Sequence, residues 1–535
     1  MKQLLYLSLI VLIAVGCADE PAHDTPSPNV ISTATPEASK AGEEMYALGG
    51  NAMDAAVAAA FALAVTEPAG SGIGGQSILI VQRPNEDALV IECTSFAPAA
   101  ADSTYDSWEQ LTPRQRTTVP TTVKVLAYAF ERYGSGNVSW EQVLMPAIRA
   151  AEEGFELGRF RRHALTESVE ELANDTPSRE VFLPGGNAPA LFERIRQPML
   201  AASLRRLAEN GAEDFYSGSI AKEIVADMQQ HGGWVTANDL SAVPEPREVP
   251  AITAGYRDLK ISTTPPPYGG WAVLQALKNI ERIIPEPSAP GQREYLLSRL
   301  RGLHLAHYAR DRYPITDFHN YDEQVAERIR DAYSTQLKEE AGRGETTHLS
   351  AADESGMVVG ISQSVNYYFG AKAMHPTLGF YYNDYMREFV YGSPEHPYAM
   401  KPGAMPYSSM SPTIAAKDGR PVAVLGSPGS ARIISAVVQV LTNWYDLGMD
   451  IRDAVSRRRM HVLPDSTVYI EDPDQRQALR EPLRQRGFRL ETLQHQADAK
   501  HYDPYFGGVH AIVWDETGWR GAADNRRDGM AIGYP

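Results

Sequence analysis

Residues 344–365 read GETTHLSAADESGMVVGISQSV, and this stretch decides the fold that the sequence predicts. Two strand-like runs, 347–352 and 358–365, lie on either side of the polar segment DESG at 353–356. Asp, Ser and Gly are typical turn residues, so the pattern predicts a β-hairpin whose first strand begins directly after Thr346.

Thr346 stands at the head of that strand, and its hydroxyl is a candidate nucleophile. Inside a chain the hydroxyl has no base beside it, but cleavage of the preceding peptide bond would free an α-amine on the same residue. An α-amine has a pKa of about 7.7–8.0, so it accepts the hydroxyl proton near neutral pH. The same residues also suit an ordinary strand, and this pattern alone leaves both interpretations open.

The flanking sequence alternates between helical and strand-like segments. Residues 51–65 are rich in Ala and apolar on every side, which predicts a buried helix capped by Asn51 or Asp54. A glycine loop, SGIGG at 71–75, leads into an apolar strand at 77–81. Further helices are expected at about 121–133, 139–153, 193–209, 218–231, 270–283, 295–311 and 433–447, and another strand at 421–425. This mixture predicts an α+β fold or a layered αββα fold.

The composition is that of a globular protein with an acidic surface. The chain has 535 residues, 43% of them hydrophobic, and its formal net charge is −17. A nucleic-acid partner is excluded, since such a protein needs a basic face to meet phosphates.

The N-terminus resembles an export signal. The apolar run 4–15 is shorter than the roughly 20 residues that span a bilayer. It ends in AVGC at 14–17, which resembles a lipobox, so residues 1–16 are expected to be a signal peptide and Cys17 to carry a lipid. A plain signal peptide with an incidental Cys17 is the alternative. Ala18 after the cysteine favours the periplasmic side of the outer membrane, with the lipid as the only membrane contact.

Residues 17–38 are rich in Pro, Ser, Thr and Asp, and we expect a flexible tether there, with the globular part beginning near Ser39. If Cys17 is lipidated, Cys93 is alone, and no internal disulfide is possible. We expect the Cys93 thiol to be buried and unreactive. No Cys/His cluster has zinc spacing, so neither a metal nor a cofactor is expected.

Several motifs together resemble the γ-glutamyltransferase family, and they span nearly the whole chain. They are GGNAMDAAVAAA at 49–60, EP at 67–68, SGIGG at 71–75, PAI at 146–148, AEEGF at 151–155, TTHLS at 346–350, SSMSPT at 408–413 and GSPG at 426–429 with RII at 432–434. Such an ordered series is far more specific than any one of its members.

The resemblance implies the αββα sandwich of N-terminal-nucleophile hydrolases, an α+β fold in four layers. It also implies a precursor that cleaves itself between Glu345 and Thr346. The large subunit would then be 39–345 and the small, catalytic subunit 346–535, entwined as one core. Thr346 would form an acyl-enzyme from a small amide such as glutathione, and water or an acceptor amine would release the acyl group.

The family's site residues carry over to matching positions. Thr346 matches the nucleophile, and Ser364 matches a residue whose hydroxyl bonds to the nucleophile. The backbone N–H groups of Gly429 and Ser430 match those that form the oxyanion hole. The Ser408-Ser409 pair matches the serines that bind the substrate carboxylate. Asn366 matches an asparagine that contacts the amino-acid head of the substrate, and Ser362, also expected to bind substrate, stands where the family has another threonine.

Three positions depart from the family pattern. Thr94 stands where the family has an arginine for the substrate carboxylate, and a threonine cannot form that bidentate, charge-assisted contact. Tyr385 and Glu388 stand where the family has polar and acidic groups that hold the substrate amino group; Glu388 keeps a carboxylate and Tyr385 does not.

Three interpretations therefore remain open. The chain is a γ-glutamyl hydrolase or transferase with an unusual binding set, or a relative that hydrolyses other acyl amides, or a non-enzymatic envelope lipoprotein.

Overall fold

The computed structural model describes residues 25–287, 292–330, 345–493 and 502–535. The predicted signal peptide and Cys17 lie outside the described residues. Within these ranges, no helix combines the length and apolar character that a bilayer span requires.

The strands, in chain order, are β1 (Asn29–Thr33), β2 (Gln76–Gln82), β3 (Leu89–Glu92), β4 (Phe155–Glu156), β5 (Arg194–Ile195), β6 (Arg247–Pro250), β7 (Ile252–Tyr256), β8 (Leu259–Thr263), β9 (Glu345–Ala352), β10 (Val358–Asn366), β11 (Thr413–Lys417), β12 (Arg420–Gly426), β13 (Met460–Val462), β14 (Thr467–Ile470), β15 (Arg489–Glu491), β16 (His510–Asp515), β17 (Gly518–Ala522) and β18 (Met530–Tyr534).

The α-helices are α1 (Pro36–Ala47), α2 (Ala52–Thr66), α3 (Thr122–Tyr133), α4 (Trp140–Glu153), α5 (Arg159–Glu167), α6 (Val169–Ala173), α7 (Thr176–Phe182), α8 (Pro198–Asn210), α9 (Ser219–Gln230), α10 (Ala237–Ser241), α11 (Gly270–Ile283), α12 (Gln292–Arg312), α13 (Asp322–Arg330), α14 (Arg432–Tyr445), α15 (Ile451–Ser456) and α16 (Pro473–Gln485).

Two large sheets form the centre of the molecule. One has seven strands in the order β18-β1-β9-β10-β2-β3-β6, and the other has six in the order β17-β16-β12-β11-β8-β7. Each sheet takes strands from both sides of the 345–346 bond, so cleavage there would leave the two pieces interleaved. The predicted hairpin is confirmed as β9 and β10, which lie in the middle of the seven-stranded sheet.

The side chains of β2 show how the layers form. Ile78 and Ile80 point into the core between the two sheets. Leu79 and Val81 point the other way, into the core shared with the helices of the large outer layer. Because side chains alternate along a strand, each sheet is buried on both faces. The four-layer αββα sandwich is therefore confirmed.

The outer layers follow from the helix sequences. Every residue of α2 is buried, and Asn51 caps it through a capping box with Asp54, as the sequence predicts. Helices α11, α12 and α14 cover the six-stranded sheet and bury one apolar core with it. The bounds predicted for α11, 270–283, agree with the structure.

Two expectations are corrected. The helix expected at 193–209 begins only at Pro198, because Arg194 and Ile195 pair with β4 instead. The tether expected over 17–38 does not extend to residue 38: Asn29–Thr33 is strand β1, which pairs with β9 and β18. Strand β1 forms within this polar segment because its backbone pairs with strands that lie hundreds of residues away in the sequence. Local composition does not reveal such partners.

Candidate active site

The peptide bond between Glu345 and Thr346 lies at the start of β9, and both residues are nearly fully buried. Gly70, in the loop after α2, packs against the next peptide bond, between Thr346 and Thr347. A Cβ on Gly70 would lie 3.1 Å from the carbonyl oxygen of Thr346, so a larger residue at position 70 would press on the backbone of Thr346.

A β-bulge in β10 faces this bond. Gln363 pairs with Thr347, but Asn366 pairs with Glu345, so β10 contains one extra residue opposite the predicted cleavage site. The bulge places the Ser364 hydroxyl where it donates a hydrogen bond of 2.7 Å to the carbonyl oxygen of Glu345. The backbone N–H of Asn366 donates to the same hydroxyl at 2.8 Å. Bulges commonly re-aim side chains beside active sites, and this one polarises the carbonyl of the 345–346 bond.

The side chain of Glu345 is anchored by buried cations that the sequence analysis did not identify. Arg527 donates to its carboxylate at 2.7 Å, and the Arg432 guanidinium lies 4.0 Å away. Arg527 is 3% exposed, so this ion pair sits in a region of low dielectric, where both charges need a partner. The run Arg526-Arg527-Asp528 near the C-terminus was the available signal, but charge runs are usually solvated.

Glu67 is a second buried carboxylate beside the predicted nucleophile. The hydroxyl of Thr347 donates to it, and Arg527 lies 3.7 Å from its other oxygen. Burial raises the pKa of Glu67 to about 7, against the opposing effects of Arg527 and Thr347. Glu67 therefore exchanges its proton near neutral pH, and it does so beside Thr347, the residue that follows Thr346.

The loop 426–430 leads into α14, and Ser430 lines the same cavity as Glu345. Among the described residues, the N–H groups of Gly429 and Ser430 have no hydrogen-bond acceptor. Ser430 has a φ of 53°, so a serine holds the left-handed conformation that glycine adopts more easily. Arg432 begins α14, and its guanidinium lies 4.0 Å from the Glu345 carboxylate. Two unpaired N–H groups at a helix N-terminus form a suitable site for a developing oxyanion.

The positions predicted to hold the substrate's amino group lie together. The side-chain amide of Asn366 donates to Glu388 at 3.0 Å. Burial raises the pKa of the Glu388 carboxyl, and the hydrogen bond from Asn366 opposes that shift. Tyr385 is buried, and burial raises its pKa to about 12, against the opposing effect of the polar side chains of Ser364, Gln76 and Ser408.

The remaining predicted positions separate into two groups. Ser409 lines the cavity described below, and Ser408 directly precedes it. Ser362 is fully buried and bonds to Nδ1 of His348 at 2.9 Å, so its hydroxyl is engaged inside the sandwich. Thr94 shares a hydrogen bond of 2.9 Å with the hydroxyl of Tyr268, and it is not among the residues that line the cavity.

A large cavity joins these groups. Its volume is about 1270 Å³, and its wall includes Glu345, Ser430, Ser409, Glu388 and Arg310. The cavity therefore brings together Glu345 of the predicted cleavage site, one predicted oxyanion-hole position and two of the predicted binding positions, whereas Thr346 and Asn366 are not among its lining residues. Cys93 is buried elsewhere, and burial raises the pKa of its thiol to about 12, as expected for an unreactive cysteine.

Comparisons with known proteins agree with this geometry. The family described as Gamma-glutamyltranspeptidase matches residues 38–534. A glutathione hydrolase proenzyme of Pseudomonas sp. (strain A14) is 32% identical over 100% of both chains. The acylase ACY 1 proenzyme of Pseudomonas sp. (strain V22) is 30% identical over 96% of this chain and 95% of its own length. The crystal structure of cephalosporin acylase from Bacillus halodurans superimposes with a TM-score of 0.84 at 26% identity, covering 95% of this chain and 96% of that one.

The Ser364 hydroxyl gives a first prediction. Ser364→Ala removes the hydrogen bond to the Glu345 carbonyl, so cleavage at 345–346 should slow by about 100-fold, the usual effect of losing one such donor. Ser364→Thr keeps the hydroxyl and should cleave at a rate close to that of the unaltered protein. Denaturing gels of freshly made protein, sampled over time, measure both rates. Equal rates for the alanine variant and the unaltered chain would refute this role.

The buried Glu67 carboxyl gives a second prediction. Its folded pKa of about 7 lies above the unfolded value of about 4.3, so the folded state holds the proton more tightly between these values. The Glu67 contribution to the free energy of unfolding should therefore fall as pH rises from 5 to 8, and Glu67→Gln should remove that contribution. Other buried groups add their own pH dependence, because burial raises the pKa of Asp384 to about 7 and lowers the pKa of His304 and of His307. The test is therefore the difference between the two proteins at each pH.

Urea unfolding at pH 5 and pH 8 measures this effect. Both proteins should carry Thr346→Ala, so that each unfolds as one uncut chain. An identical pH dependence with and without Glu67 would contradict the assigned ionisation.

Proposed function

Because this chain belongs to the gamma-glutamyltranspeptidase family of enzymes, we propose that it is a self-processing amide hydrolase and acyltransferase whose nucleophile is Thr346. The observation that carries the proposal is the 2.7 Å hydrogen bond from Ser364 to the Glu345 carbonyl. That bond polarises the carbonyl next to Thr346, as an attack from the Thr346 hydroxyl requires.

In the first step the Thr346 hydroxyl attacks the carbonyl carbon of Glu345. The C–N bond breaks, the proton of the hydroxyl passes to the departing nitrogen, and Glu345 becomes an ester on the Thr346 oxygen. Water then hydrolyses the ester, which leaves a carboxylate on Glu345 and a free α-amine on Thr346. The large subunit ends at Glu345, and the small subunit begins at Thr346.

In the second step the freed amine of Thr346 accepts the proton of its own hydroxyl, which attacks the substrate amide. Negative charge develops on the amide oxygen, and the unpaired N–H groups of Gly429 and Ser430 supply donors for it. The amine product leaves with the proton. Water or an acceptor amine then takes the acyl group from Thr346.

The substrate class that we propose is γ-glutamyl amides such as glutathione. Glu388 and Asn366 support this choice, because a carboxylate held by an amide at 3.0 Å is suited to a substrate ammonium group. The first relatives, named glutathione hydrolase proenzymes, favour the same class.

A second candidate is the hydrolysis of other acyl amides. It is favoured by Thr94, whose hydroxyl is engaged with Tyr268 and which offers no positive charge at the position of the family arginine. Relatives named as acylases, one of them at a TM-score of 0.84, also favour it. In this case an uncharged acyl group would occupy the cavity.

We also propose that the enzyme is exported and tethered by a lipid on Cys17, with the outer membrane as the favoured location. The short apolar run 4–15 and the following AVGC support this proposal. Strand β1 begins at Asn29, so a linker of about ten residues would separate the lipid from the folded domain.

Thr346 itself gives the third prediction. The purified protein should run as two bands on a denaturing gel, and Thr346→Ala should run as one band. Thr346→Ser keeps a hydroxyl and should still yield two. The cleaved protein should hydrolyse a γ-glutamyl anilide, whereas Thr346→Ala should not.

The outcomes separate the candidate functions. Turnover of simple acyl anilides without turnover of the γ-glutamyl anilide would favour the second candidate. A wild-type protein that remains one uncut chain would overturn the proposed mechanism altogether.

The anchor gives the fourth prediction. Cys17→Ser should move the protein from the membrane fraction to the soluble fraction of the cell and abolish incorporation of labelled fatty acid. Cys93→Ser is the matched control and should leave both unchanged, since the Cys93 thiol is buried in the folded domain. Continued lipid labelling of the Cys17→Ser variant would refute the anchor.

A further inference from the structure

Arg310 is a cation in the cavity that the sequence analysis did not identify. It lies near the C-terminal end of α12 and lines the same cavity as Glu345, Ser409 and Glu388. No motif singled it out, because it belongs to a long helix that the sequence predicts only as structure.

The guanidinium of Arg310 is held in a fixed orientation. One of its nitrogens donates to the hydroxyl of Ser409 at 2.6 Å, and its plane lies over the ring of Tyr407 at 4.2 Å. Burial lowers the pKa of Arg310 to about 10, so the group remains cationic at neutral pH. A stacked, oriented guanidinium presents its donors as a rigid fork.

This cation differs from every other arginine or lysine that lines the cavity. Each of the others has a carboxylate within 4.0 Å: Arg312 with Asp311, Lys372 with Glu171, Arg387 with Asp384 and Arg432 with Glu345. Among the described residues, Arg310 has no carboxylate within that distance, and its buried Nε has no hydrogen-bond partner. A half-buried cation without a counter-ion is costly, so its position in the cavity wall calls for an anionic ligand.

We propose that Arg310, which donates to Ser409, binds a carboxylate on the acyl part of the substrate and takes the place of the arginine that is absent at position 94. The Ser409 hydroxyl accepts from Arg310, and its own proton has no acceptor among the described residues, so it remains available to the same carboxylate. Glu388 lies in the same cavity with the opposite charge. Arg310 and Glu388 together match an acyl group that carries both a carboxylate and an ammonium group, as a γ-glutamyl group does.

This inference rests on the proposed function, since it assigns the carboxylate subsite of the same amide hydrolase. Its test compares three anilides that differ only in the acyl group: γ-glutamyl, glutaryl and pentanoyl. The first two carry a carboxylate at the same distance from the amide, and the third carries none.

The variant to test is Arg310→Met, which keeps length and apolar stem and removes the charge. We expect kcat/KM to fall by about 30- to 100-fold for the γ-glutamyl and glutaryl anilides, the usual effect of losing a charged hydrogen bond. The pentanoyl anilide should change by less than about threefold, because it makes no such contact. Arg301→Met, nine residues earlier on the same helix, is the matched control and should leave all three rates unchanged.

Self-cleavage at 345–346 reports on folding and on the proposed function in each variant. If the wild type cleaves itself but Arg310→Met lowers all three rates equally, or none, the carboxylate subsite is overturned while the amide hydrolase stands. If Arg310→Met does not cleave itself, Arg310→Gln serves instead, because it removes the charge and keeps a donor for Ser409, and it should lower the two carboxylate-bearing rates selectively. A wild type that neither cleaves itself nor hydrolyses any anilide would overturn the proposed function itself.

Discussion

The proposed mechanism depends on one constraint at the peptide bond before Thr346. This bond lies at the start of an inner strand, and its carbonyl oxygen accepts a hydrogen bond from Ser364. Ser364 reaches that carbonyl only because β10 contains a bulge opposite the bond. The bulge exists in a sheet that is buried on both faces and cannot shift its register without exposing its apolar side chains. The geometry of a single bond is thus fixed by the packing of the whole sandwich.

Charge at the site is arranged in two separate sets. Around the cleavage site, Glu345 and Glu67 face Arg527, and all three are buried. The proposed cleavage would turn Glu345 into a chain terminus and add a second carboxylate to this set. Arg310 and Glu388 form the second set, and both line the cavity. In the proposed mechanism, maturation and substrate recognition therefore depend on different charges.

Elements that are specified by neighbouring residues, such as helices and hairpins, could be predicted from the sequence. Features that depend on residues far away in the sequence could not. The hairpin, the capped and fully buried α2 and the bounds of α11 all follow from local pattern. Strand β1 was missed because its partners lie in β9 and β18. Family resemblance pointed to Thr346, Ser364 and the loop at 426–430, whereas Arg310 and Arg527 acquire their significance only from what the fold places beside them. Their sequence surroundings are those of an ordinary helix and an ordinary charged C-terminal segment.

The proposed mechanism requires that the oxygen of Thr346 carry an acyl group during turnover, and intact-protein mass spectrometry detects such a group. The mature protein is mixed with a γ-glutamyl or simple acyl anilide, quenched with acid within one turnover, and its chains are weighed. The account predicts that the chain beginning at Thr346 gains the mass of one acyl group and that digestion locates this group on its first residue. Turnover of the anilide with the acyl group on any other residue, or with no covalent intermediate on either chain under conditions where release is slow, would contradict it.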